Sequence, residues 1–522
     1  VKLEYNKRPP TGYNAAMARS LSDFLETLAG ERDLVRIGSE VDPGEELAEI
    51  VRRAAENGAP ALLFDRVRGS KLPRVANLLA TPARACRALG IGHLDELALR
   101  TESLLRQSTA QGWLDRLRSA PDTSAERLRA KTVRSGAVQQ IVRLPRDIDL
   151  TALALVRSWP DETGPSISGA LLVATDSAGI RRLSPARLVP IVDPARQGDG
   201  PREVENARAA GPQLAIVDDG AGEWTRLWQA ARAAGERLPV AAILGGDPAW
   251  HIAAATSLAA TLSGGGLDAY EWLAAVCGAA LEVVRCRTQP LEVPAEADIV
   301  IEGYLDPAAA TVPITLAAAA GPYYRAPYSA PVLQVEAITE RSGCLLPVVV
   351  AGTELGESAV LRKASERLML PLVKAAIAEL VDYSLPGSGG DDRFAFVSVR
   401  KTIPLGARRA ASALWGVAAL AAVKFVVVVD PEVDVHDPAE VWRRVGANVD
   451  PGRDVFMRDG PAAPADHAFE VPAVGRQMGI DATRKLPGER PIASPAALAA
   501  TREVAELVER RWQEYGIAAK IN

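Results

Sequence analysis

Lys424 is the residue whose neighbours most clearly call for chemistry. It opens the run KFVVVVD, where an Ala/Leu-rich, helix-forming stretch gives way to a strand-forming one. A charge at such a junction is costly unless it has a partner. It reads either as an exposed strand-end lysine or as a phosphate ligand in a cofactor pocket. The other reactive residue types are scattered. His93, His251, His436 and His467 form no HExxH or HxxxH pair, and no GxSxG elbow supports a Ser-His-Asp enzyme. Each reads as structural or surface. Cys86, Cys277, Cys286 and Cys344 form no CxxC, so neither a disulfide framework nor a zinc site is expected. Buried thiols in a reducing cytosol are, which gives a cytoplasmic expectation. The glycine runs SGGGLDAY (263–270) and LPGSGGDDR (385–393) lack a phosphate-binding pattern and read as turns.

The elements that must position these residues fall into three zones. The chain has 522 residues, 48% of them apolar and 24% charged, enough for two or three ordinary domains. Its net charge of −5 carries no basic excess, which argues against a nucleic-acid binder. The N-terminus VKLEYNKRPP has no apolar core of a signal peptide. Residues 20–100 alternate helix and strand signals: a helix through FLETLAG, a strand at Asp33–Ile37, a helix at Glu45–Asn57 and a strand at ALLFD. Residues 102–135 are polar, Arg-rich and helix-prone, a connector with a solvated face. From about 137 to 340, short β runs (VQQIVRL, SGALLVAT, ARLVPIV, ALEVVRC, ADIVIEG, APVLQVEAIT) suggest a barrel or sandwich. AIVDD, a helix through Trp224–Gly235 and PVAAILGG read as an α/β insertion in it. After Cys344 the α/β pattern returns, with strand LLPVVVAG, a long helix at Ser358–Tyr383, strands FAFVSVR and KFVVVVD, and a helix at Pro438–Val445. The stretch Ala410–Val429 looks membrane-like, but Lys424 interrupts it short of the ~18–20 residues a span needs. It reads as a buried helix running into a buried strand. Pro495–Tyr515 closes the chain as a helix able to pack on a partner, with Leu498, Val504, Leu507, Val508 and Trp512 as its apolar residues.

Several runs together resemble the UbiD-type decarboxylases, which use prenylated FMN. They are KFVVVVDPEVDVHDPAEVWRRVGANVDPGRDV (424–455) and QMGIDATRKLPGE (477–489), with WPDETGPSIS (159–168), LGGDPAW (244–250), VVRCRTQPLEVPAEADIVIEG (283–303), APVLQVEAIT (330–339) and LSDFLETLAGERDLVRI (21–37) upstream. The resemblance implies an α+β, UbiD-like fold. It has an N-terminal α/β layer with helical connector (1–136), a central split β-barrel of the flavin-reductase type (137–340) and a C-terminal α/β domain (341–495). A terminal helix (496–522) is expected to mediate dimerisation. The implied activity is reversible decarboxylation of an aromatic or α,β-unsaturated carboxylic acid. Such a reaction leaves carbanion character on an sp² carbon, so a cofactor must act as electron sink and an acid must return a proton. Prenylated FMN, supplied by a flavin prenyltransferase, fills the first role.

Carried over residue by residue, the resemblance makes Arg187 the catalytic arginine and Lys424 the phosphate-binding lysine. Arg182 stands where the family has a metal-binding Asn. No histidine occupies the family's histidine position in GDGPREVENARAAG, where Glu205 or Asn206 lie nearest. Ala269, in GLDAYE, replaces the metal-binding Glu, so no metal ion is expected. Ile314 and Ala319, in PITLAAAAGPYY, replace the two catalytic carboxylates. Arg325, Tyr323 and Tyr324 are the expected substrate contacts. Glu302 and Asp298 are expected to be structural. Two readings follow. One is a divergent carboxy-lyase in which Arg182, Arg187, Arg325 and Lys424 form an anion pocket and the proton comes from Tyr323, Tyr324, Glu205 or water. The other is a catalytically silent UbiD-fold subunit, a homo-oligomer or the partner of a paralogous subunit. Arg182 either joins Lys424 on a phosphate or turns to solvent or to an acid such as Asp176. No nucleic-acid or membrane partner is expected.

Overall fold

A computed structural model describes residues 20–109, 129–153, 156–191, 211–219, 222–256, 268–318, 323–324, 327–352, 355–386, 393–462, 466, 468, 474–489 and 500–515. The N-terminal layer begins with helix Leu21–Gly30, whose first turn is closed by the Ser20 hydroxyl accepting the Asp23 N–H at 3.2 Å. Its buried face is Leu21, Phe24, Leu25 and Leu28, an i, i+3, i+4, i+7 stripe. Strand Leu34–Val41 pairs in parallel with Ala61–Val67, which pairs antiparallel with Arg74–Ala76. The fourth strand, Leu346–Val348, comes from the far side of the central region and pairs in parallel with Arg74–Ala76. The chain thus returns to its first layer before entering the last.

The centre is a closed, antiparallel, six-stranded barrel. Around the ring run Ile299–Leu305, Leu238–Leu244, Ile167–Thr175, Arg181–Pro190, Gln213–Asp218 and Val332–Glu340, which pairs back with Ile299–Leu305. Closure satisfies the backbone groups that an open sheet leaves at its edges. Along each strand, alternate residues enter two different cores. Ala170, Leu172, Ala186 and Leu188 fill the interior, while Leu171, Val173 and Leu183 face the flanking helices. The sequence expectation of an α/β insertion is corrected here. Gln213–Asp218 and Leu238–Leu244 are barrel staves, and helix Glu223–Ala234 joins them with Trp224 and Trp228 in the interior cluster. The strand–helix–strand pattern is genuine, but its strands bond to different barrel neighbours rather than to each other. ALEVVRC is likewise outside the ring: Glu282–Arg285 pairs with Glu292–Pro294 and Lys131–Thr132.

In the last layer, the long helix spans Glu357–Ala376, shorter than the expected Ser358–Tyr383. Ile377 turns extended, and Leu380–Ser384 becomes a strand. Tyr383 fixes that return: its hydroxyl donates to the Glu366 carbonyl at 2.9 Å and its own carbonyl accepts from Arg367 at 2.5 Å. The five-stranded sheet runs Leu380–Ser384, Phe394–Val399, Phe425–Val429, Val474–Asp481, Val455–Pro461, with its three central strands parallel. The membrane-like stretch is helix Gly406–Gly416 followed by strand Phe425–Val429, covered on both faces. Among the described residues, no helix is long and apolar enough to cross a membrane. The terminal helix is Arg502–Arg511, extended by a turn at Trp512–Tyr515.

LGGDPAW supplies a titratable group of the core. Asp247 is buried and its Oδ1 accepts the Ala249 N–H at 2.9 Å. Burial pushes its carboxyl up to about 7, against that one hydrogen bond. The folded chain therefore holds the proton more tightly than the unfolded chain does. The associated stability is complete below the ordinary carboxylate range and is lost as pH rises through about 7. Asp247→Asn, which keeps the shape and removes the charge, should stabilise the chain at pH 8 by about 1–3 kcal/mol and give no gain at pH 4. Denaturant melts at the two pH values check this, and an equal effect at both would refute it.

Candidate functional site

Strand Arg181–Pro190 carries two of the expected site residues and turns them to opposite sides. Arg182 is in register with Ala174, and Arg187 with Val217 on the outer face. Five residues apart on a regular strand means opposite faces. Arg182 lies in a hairpin with Asp176, to which it donates from Nε at 3.0 Å and Nη2 at 2.8 Å. Of the orientations open to it from sequence, this is the pairing with Asp176. Burial raises the Asp176 carboxyl, but the N–H groups of Ile180 and Ala178 together with Arg182 outweigh burial and leave it lowered. Arg187 is buried and grips Asp219 with two parallel bonds of 2.8 Å, from Nε to Oδ2 and from Nη2 to Oδ1. Its third nitrogen, Nη1, is buried without a hydrogen-bond partner among the described residues.

Over this outer face lies the segment that should hold the acids. Val312–Ile314 pairs with Tyr328–Ala330, and Ile314 is buried with Leu316 against Val189, Ala215 and Val217. A carboxylate would be poorly solvated there; isoleucine fits. The segment is tied down by a residue that the sequence reading passed over. Glu162 is buried, with Oε1 accepting the Ala317 N–H at 3.1 Å and Oε2 accepting the Ser158 and Trp159 N–H groups at 2.9 and 3.3 Å. Thr163 donates its N–H to the Thr315 carbonyl, and its hydroxyl accepts the Thr315 N–H, both at 2.8 Å. The Tyr324 hydroxyl accepts the Asp161 N–H at 3.2 Å, while Tyr323 is 56% exposed. The only signal for Glu162 was its place in WPDETGPSIS. Ala269 is buried at the first turn of helix Ala269–Cys277, beside Asp268, which Arg181 binds at 2.8 Å. Ala319, Arg325, Glu205, Asn206 and His467 lie outside the described residues.

Lys424 stands one residue before strand Phe425–Val429 and joins it to a different acid. Its Nζ is 2.5 Å from Asp466 Oδ2, with Arg393 Nε at 3.6 Å from the same oxygen. Burial raises the Asp466 carboxyl, but Lys424, the Ala468 N–H and Arg393 outweigh it and leave it lowered. The remaining reactive types are structural. His251 is half-buried, and desolvation lowers its imidazole to about 4. His436 sits between Lys363, at 2.5 Å, and Asp382, at 3.1 Å. Glu302 accepts from the Arg287 and Thr288 N–H groups at 2.9 and 2.7 Å, and Asp298 from Gly246 at 2.8 Å, so both serve the fold.

This layout can be set beside known proteins. Residues 131–354 match the family model described as 3-octaprenyl-4-hydroxybenzoate carboxy-lyase Rift-related domain. Residues 359–482 and 25–101 match its C-terminal and N-terminal companions. An uncharacterized protein of Synechocystis sp. is 31% identical over 511 residues, covering 96% of this chain and 97% of the relative. The chain belongs to the UbiD family. An uncharacterized protein of Aquifex aeolicus is also 31% identical, over 504 residues, covering 96% of this chain and 99% of the relative. Among solved structures, the UbiD-class enzyme HmfF from Pelotomaculum thermopropionicum, in complex with FMN, is 27% identical with a TM-score of 0.69, covering 93% of this chain and 99% of that one. Vanillic acid decarboxylase from Sedimentibacter hydroxybenzoicus, in closed form, shares the fold with a TM-score of 0.80 at 21% identity, covering 96% of this chain and all of that one.

A flavin cofactor is thus a family-level property. The residues here do not fit a metal bound beside a flavin phosphate. Ala269 has no donor atom, and Arg182 brings a cation already engaged with Asp176 where a neutral ligand is needed. The Lys424–Asp466 pair should instead behave as a buried structural ion pair. Lys424→Met leaves Asp466 with Arg393 at 3.6 Å as its cation and should cost about 2 kcal/mol, much of it recovered in the Lys424→Met, Asp466→Asn double variant. Chemical denaturation of the full chain measures both; additive losses would show that the two groups act separately.

Proposed function

We propose that this chain is a UbiD-family carboxy-lyase homologue that serves as a catalytically silent subunit, without standard prenyl-FMN turnover of its own. The observation that carries the reading is Ile314, packed in an apolar cluster at the position matched to a catalytic carboxylate. An apolar side chain cannot return a proton to a carbanion. Arg182, Arg187 and Lys424 each holding an aspartate of the same chain adds support, because cations engaged in this way compete poorly for a phosphate or a metal-bound anion. A second reading keeps turnover: a divergent carboxy-lyase for an aromatic or α,β-unsaturated acid. It is favoured by the buried Arg187, whose Nη1 has no hydrogen-bond partner among the described residues.

Co-expression with a flavin prenyltransferase separates the two. The silent reading expects little flavin absorbance in the purified protein. It also expects no CO₂ release, and no H/D exchange, from cinnamate-like and hydroxybenzoate-like acids. A bound flavin with turnover that Arg187→Ala abolishes would establish the second reading instead.

A silent subunit needs a surface for its partner, a second copy or a paralogous UbiD subunit. The terminal helix supports this: Val504, Leu507 and Trp512 are each 40% or more exposed along Arg502–Trp512. Removing residues 500–522 should lower the particle mass seen by light scattering to that of the single chain. Unchanged mass would exclude the helix from assembly.

A further inference from the structure

We propose that Asp219 is a built-in occupant of a carboxylate-binding site centred on Arg187, and that it keeps free carboxylic acids out of that site. This goes beyond the functional reading and does not depend on it. Arg187 presents the fork geometry with which a guanidinium takes a carboxylate, and both prongs are filled at 2.8 Å by one residue, Asp219. The side chain of Arg187 is 5% exposed and that of Asp219 15%. The pair is therefore enclosed rather than on open surface. Nη1 remains as a buried donor with no partner, so the acid in place does not use the full donor capacity of the arginine. A buried donor without a partner costs free energy, and it marks where a larger or differently placed acceptor would gain a bond.

The surroundings say what kind of acid would fit. Val217 is in register with Arg187, and Val189 follows two residues along the same face. Ile314 and Leu316 pack on these two from the segment above. An arginine fork beside an apolar wall suits a carboxylate on an apolar body, such as an aromatic ring, rather than a sugar acid or a phosphate. Asp219 carries the same head group on a single methylene. It is held in place by its own backbone, whose N–H donates to the Pro185 carbonyl at 3.2 Å. Asp218, by contrast, is spent on the fold: it accepts from the Thr225 N–H and hydroxyl at 3.2 and 2.8 Å. Adjacent aspartates on one strand end thus face opposite ways, one to cap a helix and one to fill Arg187.

The test is chemical rescue in the full chain. Asp219→Ala removes the occupant and leaves a buried, unpaired guanidinium, so its melting temperature should fall by several degrees. Formate, small enough for the vacated space, should restore part of that loss in a concentration-dependent way, as any ligand of the folded state does. It should do nothing for the wild-type chain or for the Asp219→Ala, Arg187→Gln double variant. Benzoate then reads the apolar wall: Asp219→Ala should bind it at least about tenfold more tightly than wild type in calorimetry. If Asp219→Ala does not fold, Asp219→Ser, which also vacates the carboxylate's space, is tested in the same way, and formate during refolding should raise its folded yield. Rescue that persists in the double variant, or wild-type binding of benzoate as tight as that of the variant, overturns the proposal. So does the absence of any formate effect on both single variants. Flavin content and turnover are not read in any arm, so failure here is distinguishable from failure of the silent-subunit reading.

Discussion

Closure of the barrel depends on how near strand Ile299–Leu305 can come to Val332–Glu340. The pairing shifts register between Glu302 and Gly303, and a Cβ at Gly303 would lie 2.0 Å from the Gln334 carbonyl oxygen. Only glycine permits that approach. The same strand pairs residue for residue with Leu238–Leu244 on its other side, so one seam completes the ring. Carboxylates that accept backbone N–H groups hold its ends. Glu302 ties the Arg287–Thr288 turn to the seam, and Asp298 ties down Gly246 and Leu345. A Cβ at Gly245 would meet Asp298 at 2.4 Å, so the turn and the acid are fitted to each other.

Once the ring is closed, every stave has an inside and an outside, and the site follows from that division. Inside is a dry core of small and branched residues capped by Trp224 and Trp228. Outside, Arg187 meets the Ile314–Leu316 segment, which Glu162 clamps from below through three backbone N–H groups. Arg182, five residues away, is carried to the other face and into its own hairpin. An anion pocket built from both arginines would need a break in the alternation of this strand between them; it pairs residue for residue with one neighbour from Arg181 to Ala186 and with the other from Ala186 to Pro190, and the register shift opposite Arg187 is an extra residue in the neighbouring strand, between Ile167 and Ala170.

The three-part layout and most strand positions were legible because burial periodicity is a local property: AIVDD, ADIVIEG and KFVVVVD each show it within a few residues. Which strands bond to which is not local. Gln213–Asp218 and Leu238–Leu244 look like one α/β unit because a helix joins them, yet each belongs to a different arc of the ring. The helix end at Ala376 was obscured because its apolar run continues through Leu380 and Val381 into the next strand. In the site, Asp176 could be guessed as a partner of Arg182 because a tight hairpin separates them. Asp219 and Asp466 could not, since their cations lie on other elements and only the folded sheet brings them together.

The aspartates also bear on the proposed loss of acids and metal ligands from this UbiD-family chain. A buried cation without an anion costs several kcal/mol, which a marginally stable chain cannot carry at three places. On the match proposed from the resemblance, Ile314 and Ala269 stand where the family carries carboxylates, which takes negative charge away from the cations that stay. Charge balance then has to come from within the chain, and it does: Asp176, Asp219 and Asp466 face Arg182, Arg187 and Lys424, each supported by backbone N–H bonds or by the chain path around it. Pairs of this kind hold the barrel face, the hairpin and the last sheet in place whether or not a ligand ever binds. That makes the presence of Arg187 and Lys424 understandable on structural grounds alone, because removing either would take the nearest cation from its aspartate. Retained site residues in a divergent member of an enzyme family are therefore weak evidence of retained chemistry. The stronger evidence is what each one is bonded to.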